Sequence, residues 1–385
     1  MDKLSLSDFD YHLPESLIAQ QPADPRDHSR LLVYDRATGR IIDTWFYQLH
    51  HYLPEHTVLV INNSRVVKAR LLFGKKEVFV TRTVDPFTVE AMVRPGKSFK
   101  KGQALQLVPE PPSAPKSAES IFDNTRPENI GKKDANSLLI FAEVLNVNEE
   151  GIRTLRFNHP VDSPIFQHYR HTPFPPYIRP DEKLADRYQT VYAQNDGSIA
   201  APTAGLHFTD RVFYNLDRKS IRKVELTLHI GPGTFAPVKT ERIEEHNMHS
   251  EWYQITPDTV NKLRTAQHIT AVGTTSARVL ESAIRHSGNR STGSPPPPLH
   301  SDTDMHPIPA YRDFKTGNGE THIFIKPGYH FQAVDALITN FHLPKSTLLM
   351  MISAFVGLEE MHRIYSHAIR EQYRFYSFGD AMLLL

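Results

Sequence analysis

The chain contains no cysteine. This absence excludes disulfide bonds, iron–sulfur clusters, thiolate zinc sites and a cysteine nucleophile, because each of them needs a sulfur ligand or bond. Any catalytic or binding group must therefore be an oxygen or nitrogen group. Histidine is plentiful, at 21 residues. On its own it is a weak sign of metal binding, because histidine is also common at surfaces and in hydrogen bonds.

The sequence also lacks a long apolar run. Its N-terminus, MDKLSLSDFDYHLPE, has no apolar core of the kind that a secretory signal needs. The apolar segment from Leu348 to Leu358 is too short to span a bilayer. We therefore expect a cytoplasmic protein that makes no membrane contact.

An excess of charge of one sign is absent too, since 44 basic residues stand against 43 acidic ones and the net charge is +1. Attraction to nucleic acid would have to come from a local basic patch rather than from the field of the whole protein. The 385 residues, 39% hydrophobic and 23% charged, have a globular composition. This length favours two domains. We also expect a monomer, although no feature of the sequence determines the oligomeric state.

Two stretches lack the apolar periodicity of packed elements, residues 109 to 136 and residues 286 to 319, and both are typical of long exposed loops. The first stretch lies among short segments in which apolar and polar residues alternate with a period of two. This pattern predicts strands joined by turns. Residues 64 to 158 are therefore predicted to form a small inserted β domain. The strand segments are EVFVTRTV, FTVEAMVRP, QALQLVP, LLIFAEVLNV and IRTLRFNH.

After this region the pattern becomes an α/β alternation. A helix capped by Thr209 is predicted from Phe208 to Lys219, followed by the strand RKVELTLHIG. Two further units are HITAVGTT with SARVLESAIRH, and VDALITNFH with PKSTLLMMISAFVG, where Pro344 suits a first helical turn. Three such units predict a largely parallel sheet or barrel, which residues 1 to 63 and 159 to 385 would form.

Ligands collect at the C-terminal ends of parallel strands, and here those ends carry the polar clusters HIGPGTF, VGTTSAR and TNFHLPKS. The residues Gly273, Thr274, Thr275 and Ser276 place hydroxyls before a helix. Free backbone N–H groups and the helix dipole can bind a carboxylate or phosphate there. Taken alone, this segment is better explained as an ordinary helix cap.

Two more segments offer less specific signals. Gly231 and Gly233 flank Pro232 without the spacing of a dinucleotide fingerprint, so they indicate only a close approach of the backbone to a ligand or a turn. The segment APTAGLHFT carries His207 and Phe208 just before a helix. This segment could be a loop that faces a ligand or an ordinary helix cap, and the sequence favours neither.

The segment HNMHSE raises the question of a metal site. Its spacing matches neither H-E-x-x-H nor another strong ligand pattern, so we expect no metal. A metal-dependent hydrolase nevertheless stays open as an alternative function. The side chains that could imitate its ligands are His207, His229, His246, His249, Glu251 and His342.

Three short segments could supply a local basic patch. Lysine and arginine can neutralise phosphates, and an aromatic ring can stack on a base. By charge alone, a solvated hairpin is the simpler explanation. The segments are SRVVKAR from Ser64 to Arg70, RPGKSFKK from Arg94 to Lys101 with Phe99 among the cations, and the group Lys183, Arg187 and Tyr188.

Longer blocks run in order through nearly the whole chain. They are LPESLIAQ, INNSRVVKARL, RPGK, RYQTVYA, AAPTAGLHFT, LHIGPGTF, HSEWY, AVGTTSARVLES, PGYHFQAVDALITNFHLPKSTLLMMISAF and YRFYSFGDAM. In these blocks the chain resembles the S-adenosylmethionine:tRNA ribosyltransferase-isomerase family of queuosine biosynthesis. It departs from the family pattern at Pro232, where leucine is usual, in a short hairpin after Lys76, and in the two long loops.

The resemblance implies an α/β fold, with a large barrel-like domain into which a small β-barrel domain is inserted. It implies transfer and isomerisation of the ribosyl moiety of S-adenosylmethionine onto 7-aminomethyl-7-deazaguanine at the wobble position of tRNAs with GUN anticodons. The products would be epoxyqueuosine, adenine and methionine. S-adenosylmethionine is then a substrate, and no cofactor is expected. A non-catalytic tRNA-binding protein is a second alternative.

This interpretation assigns three groups of candidate residues, although spacing does not single out the base. Candidates for acid–base catalysis are His207, His229, His249, Glu251 and His342, the last as the acid. Candidates for binding the substrates are Thr203, Phe208, Gly231, Gly233, Thr234, Phe235, Gly273, Thr274, Thr275, Arg278 and Asn340. Candidates for binding tRNA are Arg65, Arg70, Arg94, Lys97, Lys101, Arg187, Tyr188 and Lys345.

Overall fold

The computed structural model describes residues 4–107, 139–231, 233, 238, 240–285 and 312–385. The chain divides into two compact units. The first consists of Met1–Val66 and Phe174–Leu385, and the second of Val67–Pro173. Sequence patterning places the inserted segment at 64 to 158. The second unit extends further because the strand at Arg170–His171 pairs with the strand at Arg70–Phe73.

The described residues form strands in both units. In chain order they are β1 (Arg30–Asp35), β2 (Arg40–Trp45), β3 (Val58–Asn62), β4 (Ser64–Val66), β5 (Arg70–Phe73), β6 (Lys76–Asp85), β7 (Thr88–Arg94), β8 (Ala104–Gln106), β9 (Phe141–Val147), β10 (Arg153–Phe157), β11 (Arg170–His171), β12 (Asn195–Ser198), β13 (Arg222–Leu228), β14 (Glu251–Ile255), β15 (Ile269–Val272), β16 (Gly317–Thr321), β17 (Ala336–Asn340) and β18 (Ala381–Leu384).

Helices lie almost entirely in the first unit. The α-helices are α1 (Asp210–Asp217), α2 (Pro257–Arg264), α3 (Gly273–Ala283), α4 (Thr347–Val356) and α5 (Leu358–Arg370). Short 3-10 helices occupy Leu6–Phe9, Glu15–Leu17, Arg26–His28, Phe46–His51, Gly96–Ser98, Pro164–Tyr169, Glu182–Leu184, Asp186–Tyr188, Thr203–His207 and Ile243–Glu245. Among the residues that the structure describes, no helix is long and apolar enough to cross a membrane.

The main sheet of the first unit has nine strands in the order β16-β14-β13-β3-β15-β17-β18-β1-β2. The neighbours β13, β3, β15 and β17 are parallel, as are β18 and β1. The other pairs are antiparallel. The prediction of a largely parallel sheet is therefore wrong. The C-terminal strand β18 pairs antiparallel with β17, the hairpin of β1 and β2 ends one edge, and β14 and β16 add antiparallel strands at the other. The unit is mixed α/β.

Both faces of this sheet are covered by apolar packing. In β3, Val58 and Val60 belong to one buried cluster, with residues of α2 to α5. Leu59 and Ile61 point the other way, into a cluster with Phe46 and α1. Successive strand residues face opposite sides, so a run of buried residues is what a doubly covered strand requires.

Helix α1 begins where the sequence predicts a cap. The Thr209 Oγ1 accepts a hydrogen bond from the Val212 backbone N–H at 3.3 Å and donates to the buried Asp27 carboxylate at 2.7 Å. The cap at α4 differs from the prediction. The helix begins at Thr347 rather than near Pro344, because the Ser346 side chain accepts the Leu349 N–H at 3.2 Å.

Thr209→Ala is expected to lower the free energy of unfolding by about 1–2 kcal/mol. The substitution removes the cap of α1 and one of the hydrogen-bond donors to Asp27. Urea unfolding followed by circular dichroism measures the change. Thr209→Ser keeps the hydroxyl and should stay near the parent value, so an equal loss in both variants would contradict the capping role.

The second unit is an antiparallel sheet of seven strands in the order β11-β5-β6-β7-β10-β9-β8. The strands predicted from the period of two are confirmed as β6 to β10. Their inward residues form a core that includes Leu71, Val78, Val89 and Phe166. Among the described residues, the end strands β11 and β8 are not paired with each other.

Most of the two predicted long loops lies outside the described residues, namely 109 to 136 and 286 to 311. The end of the second is structured. Phe314 is fully buried, Arg312 forms a bidentate ion pair with Asp335 at 2.7 and 2.8 Å, and Gly317 opens β16. The prediction of a loop up to residue 319 is therefore wrong at its end, because β16 pairs with β14.

Candidate active site

A cleft opens at the ends of the parallel neighbours β15 and β17. Its walls are the segment 200–204, the start of α3, the residues 339–343 after β17, and Tyr376 with Ser377. The cleft holds about 100 Å³ of free space. This is less than the roughly 300–1,000 Å³ of ligand pockets, so a nucleoside-sized ligand requires the lining to open.

Helix α3 points its first turn into this cleft. Gly273 has a φ of 85°, a value that glycine adopts freely, and it lets the chain turn from β15 directly into the helix. No side chain caps the helix. The Thr275 hydroxyl and the Arg278 Nε are buried, and neither has a hydrogen-bond partner among the described residues. Free N–H groups, a hydroxyl and a cation together form a site for an anion.

Arg278 is fixed in place by a buried carboxylate. Its Nη1 donates to Glu251 Oε2, and its Nη2 donates to the Thr321 carbonyl at 3.3 Å. Glu251 also accepts the Gly231 N–H at 3.2 Å. Both members of the pair are about 95% buried, at 6% exposure each. Glu251 is thus the counter-ion of Arg278 and does not line the cleft.

Asn340 ends β17 and lines the cleft, with 2% of its surface exposed. Its Nδ2 lies 3.1 Å from His207 Nε2 and 3.2 Å from the Tyr376 carbonyl oxygen. The Nδ1 of His207 lies 2.7 Å from Ser29 Oγ. Both ring nitrogens of His207 are therefore engaged by protein groups, and the ring sits behind Asn340 rather than in the cleft wall.

His342 is the one candidate acid–base residue that lines the cleft in the described part of the chain. Its Nε2 lies 2.7 Å from the Thr339 hydroxyl. That hydroxyl has no other acceptor among the described contacts, so we assign its proton to this hydrogen bond and the ring proton to Nδ1. Burial lowers the pKa of His342 to about 3, which keeps the ring neutral near pH 7.

Acid should destabilise the protein through the two buried histidines. Burial, helped by Arg374 and Arg26, lowers the pKa of His207 to about 3, as burial does for His342. Unfolded histidine titrates near about 6.5, so below that pH the unfolded chain binds protons that the folded chain does not. We expect full stability above pH ~6.5 and a loss that approaches about 1.4 kcal/mol per pH unit per histidine toward pH ~3.

Urea unfolding at three pH values between 7 and 5 measures this loss. His207→Gln should make the pH dependence shallower, whereas His12→Gln, at an exposed position, should leave it unchanged. An identical slope in His207→Gln and the parent protein would contradict the account of His207.

The other sequence-predicted residues for substrate lie in several places. Thr203, Gly273 and Thr274 line the cleft. Phe208 is fully buried in the core, against Phe46 and Phe213. His229 stacks on Trp252 outside the cleft wall, His249 is exposed beside Gly233, and Gly231 is half-buried. Pro232, Thr234 and Phe235 lie outside the described residues.

The basic candidates differ in how they are paired. In the first unit, Arg65, Arg187 and Lys345 form ion pairs with Asp196, Asp24 and Asp10 at 3.7, 3.4 and 2.8 Å. In the second unit, Arg70 pairs with Glu77 at 2.7 Å. Arg94, Lys97 and Lys101 are exposed and have no ion-pair partner among the described residues.

Two aromatic residues are less accessible than their sequence context indicates. Phe99 is 1% exposed and belongs to the core of the second unit, so the prediction that it stacks on a base is wrong. Tyr188 is 1% exposed and packs between Phe174 and Phe378, with ring centroids 5.3 and 5.8 Å away, at the edge of the cleft.

Sequence reasoning missed four residues at the site. They are Ser29, Thr339, Tyr177 and Tyr376. Thr339 and Tyr376 lie in blocks that carry the family resemblance, and this signal could have found them. Ser29 offered no signal, because its role comes only from its contact with His207. Among the described residues, no three His, Asp or Glu side chains are grouped so that they could bind a metal ion.

Comparison with known proteins covers nearly the whole chain. The model of a family described as queuosine biosynthesis protein matches residues 6–384. The chain belongs to this family. A relative named S-adenosylmethionine:tRNA ribosyltransferase-isomerase, from Cupriavidus pinatubonensis, is 43% identical over 399 residues, which cover 99% of each chain.

Two further proteins are similar to the chain over nearly its whole length. The protein of the same name from Thermotoga petrophila is 40% identical over 391 residues, covering 99% of this chain and 100% of that protein. A solved structure of S-adenosylmethionine tRNA ribosyltransferase from Thermotoga maritima is 32% identical. It covers 98% of this chain and 100% of that chain, with a TM-score of 0.49.

Proposed function

We propose that this chain transfers and isomerises the ribosyl moiety of S-adenosylmethionine onto 7-aminomethyl-7-deazaguanine at the wobble position of tRNA. The products are epoxyqueuosine in the tRNA, adenine and methionine. The observation that carries the proposal is the cleft at β15 and β17, whose α3 terminus, Thr275 and Arg278 fit the carboxylate of an amino-acid donor. It lies in a chain whose relatives are named S-adenosylmethionine:tRNA ribosyltransferase-isomerase.

The donor carboxylate binds at the start of α3. Arg278 Nε and the Thr275 hydroxyl are buried donors without described partners, and an anion would satisfy both. The backbone N–H groups of the first helical turn carry the positive end of the helix dipole, which also attracts the carboxylate. Because Glu251 holds the other end of the guanidinium, Arg278 need not reorganise when the donor binds.

The reaction removes two protons, one from C5′ of the donor and one from the tRNA amine, and supplies one to adenine. The sulfonium makes the C5′ hydrogens of the donor acidic, so a base that removes one of them begins opening of the ribose. The N-glycosidic bond breaks and adenine leaves with a proton, while the tRNA amine bonds to a carbon of the opened sugar and loses a proton. An oxygen of the opened sugar then forms the epoxide as the carbon–sulfur bond breaks and methionine departs as a neutral thioether. We place His342, which lines the cleft, at the departing adenine, where its assigned Nδ1–H donates a hydrogen bond to the base. Because the ring is neutral near pH 7, the proton that adenine takes comes from water.

Phosphates of the tRNA contact the exposed cations of the second unit. Arg94, Lys97 and Lys101 have no described counter-ion, so they can approach phosphates without breaking an ion pair. Binding through them would weaken as salt rises, because each phosphate contact releases counterions. The paired residues Arg65, Arg70, Arg187 and Lys345 would have to exchange a carboxylate for a phosphate.

Finer features follow from the resemblance and belong to this proposal. They include recognition of GUN anticodons, a cytoplasmic location, a single copy of the chain and the absence of a cofactor. They also include the form of each sheet, which is barrel-like in the first unit and a small β-barrel in the second. Native mass spectrometry tests the copy number, and a panel of tRNA transcripts tests the anticodon requirement.

Adenine release tests the function. The purified protein is mixed with S-adenosylmethionine and tRNA carrying 7-aminomethyl-7-deazaguanine, with a chelator present, and adenine is followed by chromatography. Release that requires the modified base supports the proposal. Release abolished by the chelator would favour a metal-dependent enzyme, and salt-dependent tRNA binding with no release would favour a non-catalytic RNA-binding protein.

A further inference from the structure

The amide of Asn340 has an orientation that its neighbours dictate. The Tyr376 carbonyl oxygen can only accept a hydrogen bond, so the amide atom 3.2 Å from it must be the NH₂ group. The same Nδ2 lies 3.1 Å from His207 Nε2, which must then accept. His207 therefore carries its proton on Nδ1 and donates it to Ser29 Oγ at 2.7 Å.

This arrangement leaves the Asn340 carbonyl oxygen without a partner. The Oδ1 is buried and receives no hydrogen bond from any described residue, although Asn340 lines the cleft. An unsatisfied buried acceptor costs about 1–3 kcal/mol. A ligand that brings an O–H or N–H donor into the cleft recovers this energy, so Oδ1 is a recognition point for a donor group.

The sheet register indicates which part of the ligand reaches it. Val272 of β15 is paired with Ile338 of β17, so Gly273 and Asn340 leave neighbouring strands at the same edge. Neighbouring strands lie about 4.8 Å apart. A ligand whose carboxylate binds at the start of α3 therefore presents the groups beyond it, first the α-ammonium and then the ribose hydroxyls, on the side of Asn340. No Asp or Glu lines the described wall of the cleft, so a buried ammonium would lack a counter-ion there and is better placed toward solvent. The ribose hydroxyls are the neutral donors that remain for Asn340 Oδ1. The purine lies further along the ligand.

We propose that Asn340 Oδ1 accepts a hydrogen bond from a ribose hydroxyl of S-adenosylmethionine. Ser29 and His207 act as positioning residues that hold the amide in the orientation required for this contact. The proposal rests on the proposed function and assigns His207 to recognition of the donor. The proposal explains why His207 is buried with both ring nitrogens hydrogen-bonded, because these bonds orient the Asn340 amide.

Calorimetric binding of donor analogues tests the contact. The titrations use S-adenosylmethionine, its 2′-deoxy and 3′-deoxy analogues, and the analogue with hypoxanthine in place of adenine. They are made with saturating tRNA whose wobble base is unmodified guanine, which cannot react. One deoxy analogue should bind the parent protein about 10- to 100-fold more weakly than S-adenosylmethionine. In Asn340→Ala this difference should nearly disappear, as in a double-mutant cycle.

His207→Phe tests the positioning role separately. It removes the acceptor that orients the amide, so discrimination between the ribose analogues should fall even where the melting temperature shows a folded protein. A purely structural role would lower the melting temperature and leave discrimination intact. Asn261→Ala, at an exposed position of α2, is the matched control and should discriminate like the parent.

The remaining outcomes overturn the inference. Equal binding of both deoxy analogues and S-adenosylmethionine by the parent would do so, as would discrimination that persists in Asn340→Ala. Weak binding of the hypoxanthine analogue alone would assign Oδ1 to the base. No binding of S-adenosylmethionine by the folded parent would overturn the proposed function itself, and it is distinguishable because all analogues would then fail together.

Discussion

Arg278→Lys is expected to raise the Michaelis constant for S-adenosylmethionine by about 10- to 100-fold. Lysine keeps the charge but loses the Nε–H and the planar fork, so the donor carboxylate loses a charge-assisted hydrogen bond. The turnover number should change less, because the groups at the reacting carbon are untouched. Initial rates of adenine release against donor concentration, at saturating tRNA, give both constants.

Arg285→Lys is the matched control for this variant. Arg285 follows the end of α3, is exposed, and pairs with Asp313 at 3.2 Å outside the cleft. Its substitution should leave the Michaelis constant for the donor unchanged. Melting temperatures of both variants show whether the buried Glu251 has lost its counter-ion. An unchanged Michaelis constant in folded Arg278→Lys would remove Arg278 from the carboxylate site.

His342→Ala is expected to lower the turnover number by about 10²- to 10³-fold, the range for loss of one positioned hydrogen-bond donor to a developing charge. The Michaelis constant for the donor should change little, because the carboxylate site lies at α3. His342→Gln should recover part of the lost rate, since its amide can still donate a hydrogen bond. Single-turnover rates at saturating donor and tRNA measure the effect.

The exposed His330 provides the control, and His330→Ala should retain the parent rate. The wild-type rate should also show no titration of His342 between pH 6 and 9, because burial lowers its pKa to about 3. A folded His342→Ala variant with the parent turnover number would remove His342 from the chemistry.

Local sequence signals predicted much of the secondary structure and the position of the cleft. The Thr209 cap and strands β6 to β10 follow from side-chain periodicity and capping chemistry, which act over a few residues. The position of the cleft was predicted from one general rule, that neighbouring parallel strands bring their C-terminal ends together. This rule was sufficient because β15 and β17 are parallel neighbours, although the sheet as a whole is mixed.

The rest depended on contacts between distant parts of the chain. The Glu251–Arg278 pair, and the contact of His207 with Ser29 and Asn340, join residues far apart in sequence. No spacing rule could therefore separate a histidine in the cleft from one behind it. Phe99 was misread for the same reason, since its burial depends on how the second unit packs.

The central claim is that the ribose of S-adenosylmethionine, and not its methyl group, enters the tRNA. Two donors test it most directly, one carrying ¹³C in the ribose and the other in the methyl group, each reacted with tRNA containing 7-aminomethyl-7-deazaguanine. We expect the modified nucleoside to gain the ribose label only, with adenine and methionine released in equal amounts. Methyl label in the nucleoside, or an unchanged nucleoside without adenine release, would contradict the account.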